Sequence, residues 1–211
     1  MRSLPIQIAD FIVIIVDFDE PVRMSLAFLL TMNGFAVRIH ETAAAFAEFA
    51  PNARNAVLIT DLRMPEMSGI DLVRRLAAMK LKVPSIVITG HGDIPMAVEA
   101  MKAGASDFIE KPFEDTVIID AIRRAAIQLA GSAEDGETID EIRDRVATLS
   151  ERERQVLSAV VAGLPNKSIA YDLDISPRTV EVHRANVMTK MKAKSLPQLV
   201  RMAMSAGFGP Q

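Results

Sequence analysis

The sequence of 211 residues contains no cysteine. A disulfide framework, a thiolate metal site and a thiol nucleophile are therefore excluded. The sequence also lacks any uninterrupted apolar run near the ~20 residues that a membrane-spanning helix needs. Asp10 and Asp17 interrupt the apolar N-terminal stretch and no small-residue cleavage site follows, which argues against a signal peptide. These absences predict a soluble protein of the cytoplasm.

Breaker residues are also few, and the charges are unevenly distributed. Ten glycines and 11 prolines, with 50% hydrophobic residues, are typical of a globular protein rather than a disordered one. The net charge is −3, yet residues 150–211 carry nine lysines and arginines against five acidic residues. A basic segment on an acidic protein predicts that the C-terminal end binds a polyanion.

The first 130 residues alternate short apolar runs with longer stretches of helical spacing. Such alternation predicts an α/β fold with a five-stranded parallel sheet and helices on both faces. The predicted strands are Phe11–Val16, Ala36–His40, Val57–Thr60, Ser85–Thr89 and Asp107–Ile109. The predicted helices are Glu20–Asn33, Thr42–Phe49, Ile70–Met79, Ile94–Ala103 and Glu114–Ala130.

Beyond this segment the pattern becomes entirely helical. Small and acidic residues at Gly131–Gly136 break the alternation, and a strongly charged stretch with helical spacing follows. The predicted organisation is a first domain at 8–127, a partly helical linker at 128–148 and an all-α second domain at 149–211.

The second domain contains the helix caps and the turn that are typical of a helix-turn-helix. Ser150 and Glu153 form a capping-box pattern, and Ser176 followed by Pro177 supplies an N-cap and a first-turn proline. A tight turn at Asp174–Ser176 joins two consecutive helices, which is the helix-turn-helix arrangement. Four helices are predicted in this domain. The first begins at Ser150 and ends at Gly163, and the second covers Ser168–Leu173. The third covers 177–190, and the fourth runs from about Ser195 to before Gly207.

Four polar side chains stand at the ends of four predicted strands of the first domain: Asp17, Asp61, Thr89 and Lys111. The carboxyl ends of parallel strands meet at one edge of a sheet, where open α/β folds bind their ligands. A carboxylate such as Asp61 can attack a phosphoryl group to form an acyl phosphate, provided that nearby cations neutralise the charge. The constellation therefore predicts a phosphoacceptor site.

These residues and the motifs around them resemble the receiver domain of two-component response regulators. The motifs are Asp17, Ile59–Pro65 with Ser68-Gly69, Ile88–His91 and Asp107–Pro112. The resemblance implies the flavodoxin-like strand order 2-1-3-4-5.

The same resemblance implies the roles of individual residues. Asp61 is the phosphoacceptor, and Asp61, Asp17 and the backbone carbonyl of Arg63 surround a Mg²⁺ ion. Lys111 supplies a second positive charge, with its bond to Pro112 often cis. Thr89 hydrogen-bonds the phosphoryl group and forms with Phe108 the switch pair by which receivers signal.

One position departs from the receiver pattern. The family usually has two adjacent acidic residues at the end of the first strand, whereas Phe18 follows Asp17 here. The missing carboxylate is normally a metal ligand, so Phe18 predicts weakened Mg²⁺ binding. Asp19 is the candidate to replace it.

The span from Leu149 to Ala203 resembles the LuxR/NarL-type helix-turn-helix along its whole length. Gly163–Ala170 and Ile175–Arg184 carry the match. The helix from about Pro177 to Lys190 is then the recognition helix, with its N-terminal residues near base edges in the major groove. The residues expected to face the groove are Glu181, Val182, Arg184 and Ala185. The residues expected to contact phosphates are Lys167, Arg178, Thr179 and Lys190.

Together the two halves resemble FixJ-type regulators. This implies a FixL-like sensor histidine kinase, double-stranded promoter DNA and RNA polymerase as partners, homodimerisation on phosphorylation, and activation of nitrogen-fixation or microaerobic genes. The resemblance implies no turnover enzyme, although the receiver can dephosphorylate itself.

Two other interpretations stay open at this stage. One is a phosphorylation-independent regulator whose receiver serves only as an interaction module. The other is a phosphatase of the haloacid-dehalogenase type, because Asp17-Phe-Asp19 matches a DxD nucleophile motif.

Overall fold

A computed structural model describes residues 11–129 and 138–208. The predicted break at Gly131–Gly136 lies outside these residues. The described residues divide into two compact units, one made of residues 11–91 and 102–129 and the other of residues 92–101 and 138–208. Among the described helices, none combines the length and the apolar character needed to cross a bilayer.

The first unit contains the predicted five-stranded parallel sheet in the order β2-β1-β3-β4-β5. The order 2-1-3-4-5 and the strand positions confirm the sequence-based expectation to within one or two residues. The strands are β1 (Ile12–Val16), β2 (Ala36–His40), β3 (Ala56–Asp61), β4 (Ser85–Thr89) and β5 (Asp107–Glu110).

The central strands are buried on both faces, as expected for a parallel sheet covered by helices. Every residue of β3 and β4 is buried. Side chains of β1 alternate between two cores: Val13 and Ile15 pack with one, Ile14 and Val16 with the other. Since successive residues of a strand point to opposite faces, the two cores lie on the two sides of the sheet.

The helices of this half of the sequence are α1 (Glu20–Met32), α2 (Ala43–Phe49), α3 (Gly69–Ala78), α4 (Ile94–Ala103) and α5 (Asp115–Leu129). Four of them cover the two faces of the sheet: residues of α1 and α5 pack into the core that contains Val13, and residues of α2 and α3 pack into the core that contains Ile14. Most of α4, residues 94–101, belongs to the second unit.

The second unit contains the predicted all-α helix-turn-helix domain. Both sequence-based caps are present: Ser150 and Glu153 form the capping box of the first predicted helix, and Ser176 caps the recognition helix with Pro177 in its first turn. Gly163 ends the first of these helices in the left-handed conformation that favours glycine. The helices are α6 (Ile139–Ala147), α7 (Glu151–Ala162), α8 (Asn166–Asp172), α9 (Pro177–Met191) and α10 (Leu196–Ser205).

The helix α6 lies inside the segment predicted as a linker, and it packs against the helix-turn-helix. Its own capping box joins Thr138 to Glu141. Ile142 is buried in a core with Leu157, Val187 and Met191 of α7 and α9. We therefore propose that the second domain begins near Thr138, about ten residues before the predicted boundary at 149.

Candidate functional sites

The structure brings Asp17, Asp61 and Lys111 into direct contact at the carboxyl edge of the sheet. The Lys111 Nζ lies 2.8 Å from Asp61 Oδ1 and 3.3 Å from Asp17 Oδ2. These groups end β1 and β3 or follow β5, so parallel strands carry residues from three distant parts of the sequence to one place. The Lys111–Pro112 peptide bond is cis.

Both carboxylates are buried and hydrogen-bonded. Asp17 is 1% exposed, and its Oδ1 accepts a hydrogen bond from the backbone N–H of Asp19 at 2.9 Å. Asp61 is 7% exposed, and its Oδ2 accepts from the backbone N–H of Arg63 at 2.7 Å. Each carboxylate is thus held in one orientation, with one oxygen on the backbone and the other on Lys111.

The charges of the site perturb its titration. Burial raises the pKa of the Asp17 carboxyl, although the Asp19 N–H and the Lys111 charge act in the opposite direction. Burial alone lowers the pKa of Lys111, but the hydrogen bonds and charges of Asp61 and Asp17 outweigh it and leave that pKa raised. Lys111 therefore stays protonated and supplies a fixed positive charge beside Asp61.

A second cationic side chain, which sequence reasoning did not single out, lies next to Asp17. Arg23 of α1 is 8% exposed, and its guanidinium donates a hydrogen bond to the backbone carbonyl of Asp17 at 2.6 Å. The available signal was its spacing of three and seven residues from Leu26 and Leu30, which share its buried face of the helix.

Gly69 explains the Ser68-Gly69 motif. A β-carbon at this position would collide with the backbone oxygen of Asp61. The Gly69 N–H donates to the carbonyl of Leu62 at 3.0 Å, and the Ser68 hydroxyl caps α3. Only glycine lets the start of α3 approach the end of β3 this closely.

The two predicted switch residues lie on neighbouring strands. Thr89 is buried at the end of β4, and its hydroxyl exchanges hydrogen bonds with the backbone of His91 at 3.2 and 3.3 Å. Phe108 of β5 pairs with Val87 in the sheet register and is 9% exposed.

Two carboxylates, those of Asp17 and Asp61, are available at this site as ligands for a metal ion. Within residues 11–129 and 138–208, no cluster of three or more histidine and acidic side chains is suited to hold a metal ion. Phe18 occupies the position at which the resemblance to receivers implies a third acidic ligand, and it is 49% exposed. The predicted substitute, Asp19, uses its Oδ1 to cap α1 by accepting from the Val22 N–H at 3.1 Å. Asp17 and Asp61 still fit Mg²⁺, which binds through one or two carboxylates and keeps several waters.

In the second unit, α9 exposes one face along most of its length. Four predicted residues of that face are exposed, Val182 among them at 50%. Arg178 and Glu181 form an ion pair of 2.8 Å on the surface. Asn186, which sequence reasoning did not single out, is exposed one turn beyond Val182. The exposed predicted residues of α9 are Arg178, Glu181, Val182, Ala185 and Lys190, the last with 39% of its side chain exposed.

Three predicted residues of α9, which are Arg184, Thr179 and Lys190, bond to other residues of the domain. Arg184 is half-buried and donates to the Asn166 side-chain oxygen at 3.0 Å, and burial lowers its pKa. The Thr179 hydroxyl shares a hydrogen bond of 2.8 Å with the Ser176 N-cap. Lys190 lies 2.6 Å from the Glu153 carboxylate. Lys167, near the start of α8, is exposed.

Comparison with known proteins matches both units. The profile of the response regulator receiver domain matches residues 13–123, and that of the bacterial regulatory proteins of the luxR family matches residues 147–203. The transcriptional regulatory protein FixJ of Rhizobium meliloti (strain 1021) is 73% identical over 201 residues, which are 95% of this chain and 98% of that protein. FixJ of Azorhizobium caulinodans is 56% identical over 212 residues, covering 99% of this chain and 96% of that protein.

Solved structures of FixJ proteins also match this chain. The crystal structure of full-length FixJ from B. japonicum is 49% identical, with a TM-score of 0.53, and the match covers 94% of this chain and 98% of that one. The structure of the FixJ N-terminal fragment, FixJ-N, is 69% identical with a TM-score of 0.55, over 57% of this chain and 95% of that one.

Proposed function

The chain belongs to the FixJ family of two-component transcriptional response regulators, and from that premise we propose that phosphorylation of Asp61 controls DNA binding through α9. One observation carries the proposal: the Lys111 ammonium bridges Asp61 and Asp17 at 2.8 and 3.3 Å. A nucleophilic carboxylate with a partly buried cation at its side is what attack on an anionic phosphoryl group requires.

The residues of the site divide the chemistry. A carboxylate oxygen of Asp61 attacks the phosphorus of the donor and becomes an acyl phosphate, while the bond between phosphorus and the donor breaks and the donor leaves, as the kinase's histidine imidazole or as acetate from acetyl phosphate. Lys111 offsets the charge that this adds to a buried position. We propose that the Thr89 hydroxyl exchanges its contact with His91 for a phosphoryl oxygen. Phe108, on the adjacent strand, would pass this change to the surface of the domain, shifting an equilibrium between two existing states.

Magnesium is the cofactor that this family implies. Asp17, Asp61 and the backbone carbonyl of Arg63 would hold it, and the bound ion would neutralise part of the negative charge of the site. With Phe18 in place of an acid, and with Lys111 and Arg23 close to Asp17, we propose that Mg²⁺ binds weakly here. The Asp19 side chain caps α1, so we propose that it contributes less to Mg²⁺ binding than Asp17 and Asp61 do.

An apolar surface beside the site supports a helical protein as phosphodonor. Met24, Phe28 and Met32 of α1 are 51%, 70% and 71% exposed and lie on one face of the helix. A groove of about 620 Å³ runs along α1 and reaches Lys111 and Phe113. Large exposed apolar side chains mark protein contacts, and we propose that a FixL-like sensor histidine kinase docks here.

Further proposals rest on family membership. The phosphorylated chain would form a homodimer, bind double-stranded promoter DNA in the cytoplasm and contact RNA polymerase to activate nitrogen-fixation or microaerobic genes. We propose no turnover activity beyond self-dephosphorylation. Asp17, the nucleophile that a DxD phosphatase would need, is 1% exposed and has both carboxylate oxygens engaged by Asp19 and Lys111.

The function is tested by treating the full chain with acetyl phosphate in the presence of Mg²⁺. We expect an increase in solution size and tighter binding to a DNA duplex that the treated chain selects from a random library. Untreated chain is the control. Labelling without a change in size or affinity would favour the interpretation that the receiver is only an interaction module.

We expect α9 to determine which bases are preferred, and α8 to contact phosphates without base preference. We expect Glu181→Ala to change the preferred base at one position of the selected duplex, because a glutamate accepts a hydrogen bond from cytosine. Lys167→Ala should weaken binding to all duplexes alike and lower the slope of log affinity against log salt by about 0.9. Repeated selection and salt titration measure both, and equal losses on every duplex for both variants would contradict the division.

A further inference from the structure

The C-terminal end of the recognition helix is tied to the rest of its domain by two cations. The Lys190 Nζ lies 2.6 Å from the Glu153 carboxylate and donates to the backbone carbonyl of Thr148 at 3.4 Å. Arg145 of α6 donates to the carbonyl of Met191, the last residue of α9, at 3.1 Å. The positive charges therefore meet the end of the helix where unpaired carbonyls and the negative end of the dipole lie.

Glu153 is a demanding partner for Lys190. Its side chain is 5% exposed, and the same carboxylate accepts from the Ser150 backbone N–H at 2.7 Å in the capping box of α7. The hydrogen bond from Lys190 and that capping-box bond hold the pKa of Glu153 below its usual range, so the group is a buried anion at neutral pH. A buried anion needs a paired cation, and loss of that cation leaves the charge uncompensated.

Apolar packing fixes the same end of α9. Met191 and Val187 are fully or almost fully buried, and they share a core with Ile142 of α6 and Leu157 of α7. The exposed face of α9 begins at its other end, with Arg178, and carries Val182. Packing and charge thus hold the C-terminal end of the helix, Val180 packs nearer its N-terminus in a second core, and the outer face is exposed.

We propose that Lys190, Glu153 and Arg145 are positioning residues that set the orientation of the recognition helix, and that Lys190 makes no phosphate contact. This inference rests on DNA binding by α9, and it replaces the sequence-based expectation for Lys190. It also gives α6, in the predicted linker, a direct connection to the DNA-reading helix.

Salt dependence distinguishes positioning from phosphate contact. Each phosphate neutralised by the protein contributes about 0.9 to the slope of log affinity against log salt. For Lys190→Met in the full chain, we expect affinity for the duplex selected by the parent to fall at least about tenfold, since a buried anion loses its partner, with the slope unchanged. Lys167→Met is the matched control, with a smaller slope by about 0.9.

Three more variants test the pair itself. Glu153→Gln removes no cation, yet it should weaken binding as much as Lys190→Met, and the double variant should show no additional loss. Lys190→Arg keeps the charge and should keep most of the affinity. Circular dichroism and thermal melting of each variant check that the fold persists at the temperature of the binding assay.

Each alternative has its own outcome. A slope lowered by about 0.9 in Lys190→Met would assign that lysine to a phosphate and overturn the inference. Unchanged or tighter binding by Glu153→Gln would overturn it as well, and so would failure of both variants to fold, which would make the pair a requirement for folding. A parent chain that binds no duplex would instead contradict the proposed DNA-binding function.

Discussion

Replacing Asp61 with asparagine is expected to abolish labelling of the chain by acetyl phosphate completely. An amide is no nucleophile toward phosphorus, whereas it is nearly the same size as the carboxylate, so the fold should persist. Mass spectrometry of the intact chain measures the added phosphoryl group. Treated Asp61→Asn should therefore have the size and DNA affinity of untreated parent.

The matched control is Asp120→Asn. This residue is exposed on α5 and forms a surface pair with Arg123, and its replacement should leave labelling intact. Full labelling of Asp61→Asn would mean that another group accepts the phosphoryl group. An Asp61→Asn chain that activates transcription as well as the parent would support a phosphorylation-independent regulator.

The second large effect is a gain. We expect Phe18→Asp to tighten Mg²⁺ binding by about tenfold or more, which corresponds to roughly 1.4 kcal/mol of binding free energy. The substitution places a third carboxylate beside Asp17 and Asp61, where Lys111 already neutralises part of the negative charge. Since the Phe18 ring is half exposed, its removal should cost little stability. Calorimetric titration of the chain with MgCl₂ measures the affinity directly.

Phe18→Ala separates charge from bulk. This variant removes the ring without adding an acid, so it should bind Mg²⁺ as the parent does. Equal tightening in the alanine and aspartate variants would mean that the ring obstructs the ion. Parental affinity in Phe18→Asp would mean that the number of carboxylates does not limit binding at this site.

The two substitutions address different steps. Asp61→Asn removes the acceptor, whereas Phe18→Asp leaves the acceptor and changes the charge around it. If phosphorylation of the parent needs high Mg²⁺ concentrations, Phe18→Asp should lower the concentration for half-maximal labelling. A chain that is labelled fully without added Mg²⁺ would show that Lys111 and Arg23 suffice to neutralise the site.

Most of the architecture could be predicted from the sequence. The alternation of β-branched runs and helical spacing predicted the sheet, since central strands of a parallel sheet are buried on both faces. Asp17, Asp61 and Lys111 could be grouped without coordinates, because their strand ends had to meet at one edge. The caps at Ser150 and Ser176 predicted the starts of α7 and α9, because capping is a local interaction.

The tertiary structure decided how the charged residues are used. Periodicity predicts which residues share a face of their own helix, but it does not contain the position of neighbouring helices. For that reason the sequence did not predict that Lys190 and Arg184, which were expected to contact DNA, bond to Glu153 and Asn166 in the free chain. Likewise Ile139, Ile142 and Val146 have helical spacing in a strongly charged stretch, but only the packing of α6 against α7 and α9 makes Ile142 part of a core.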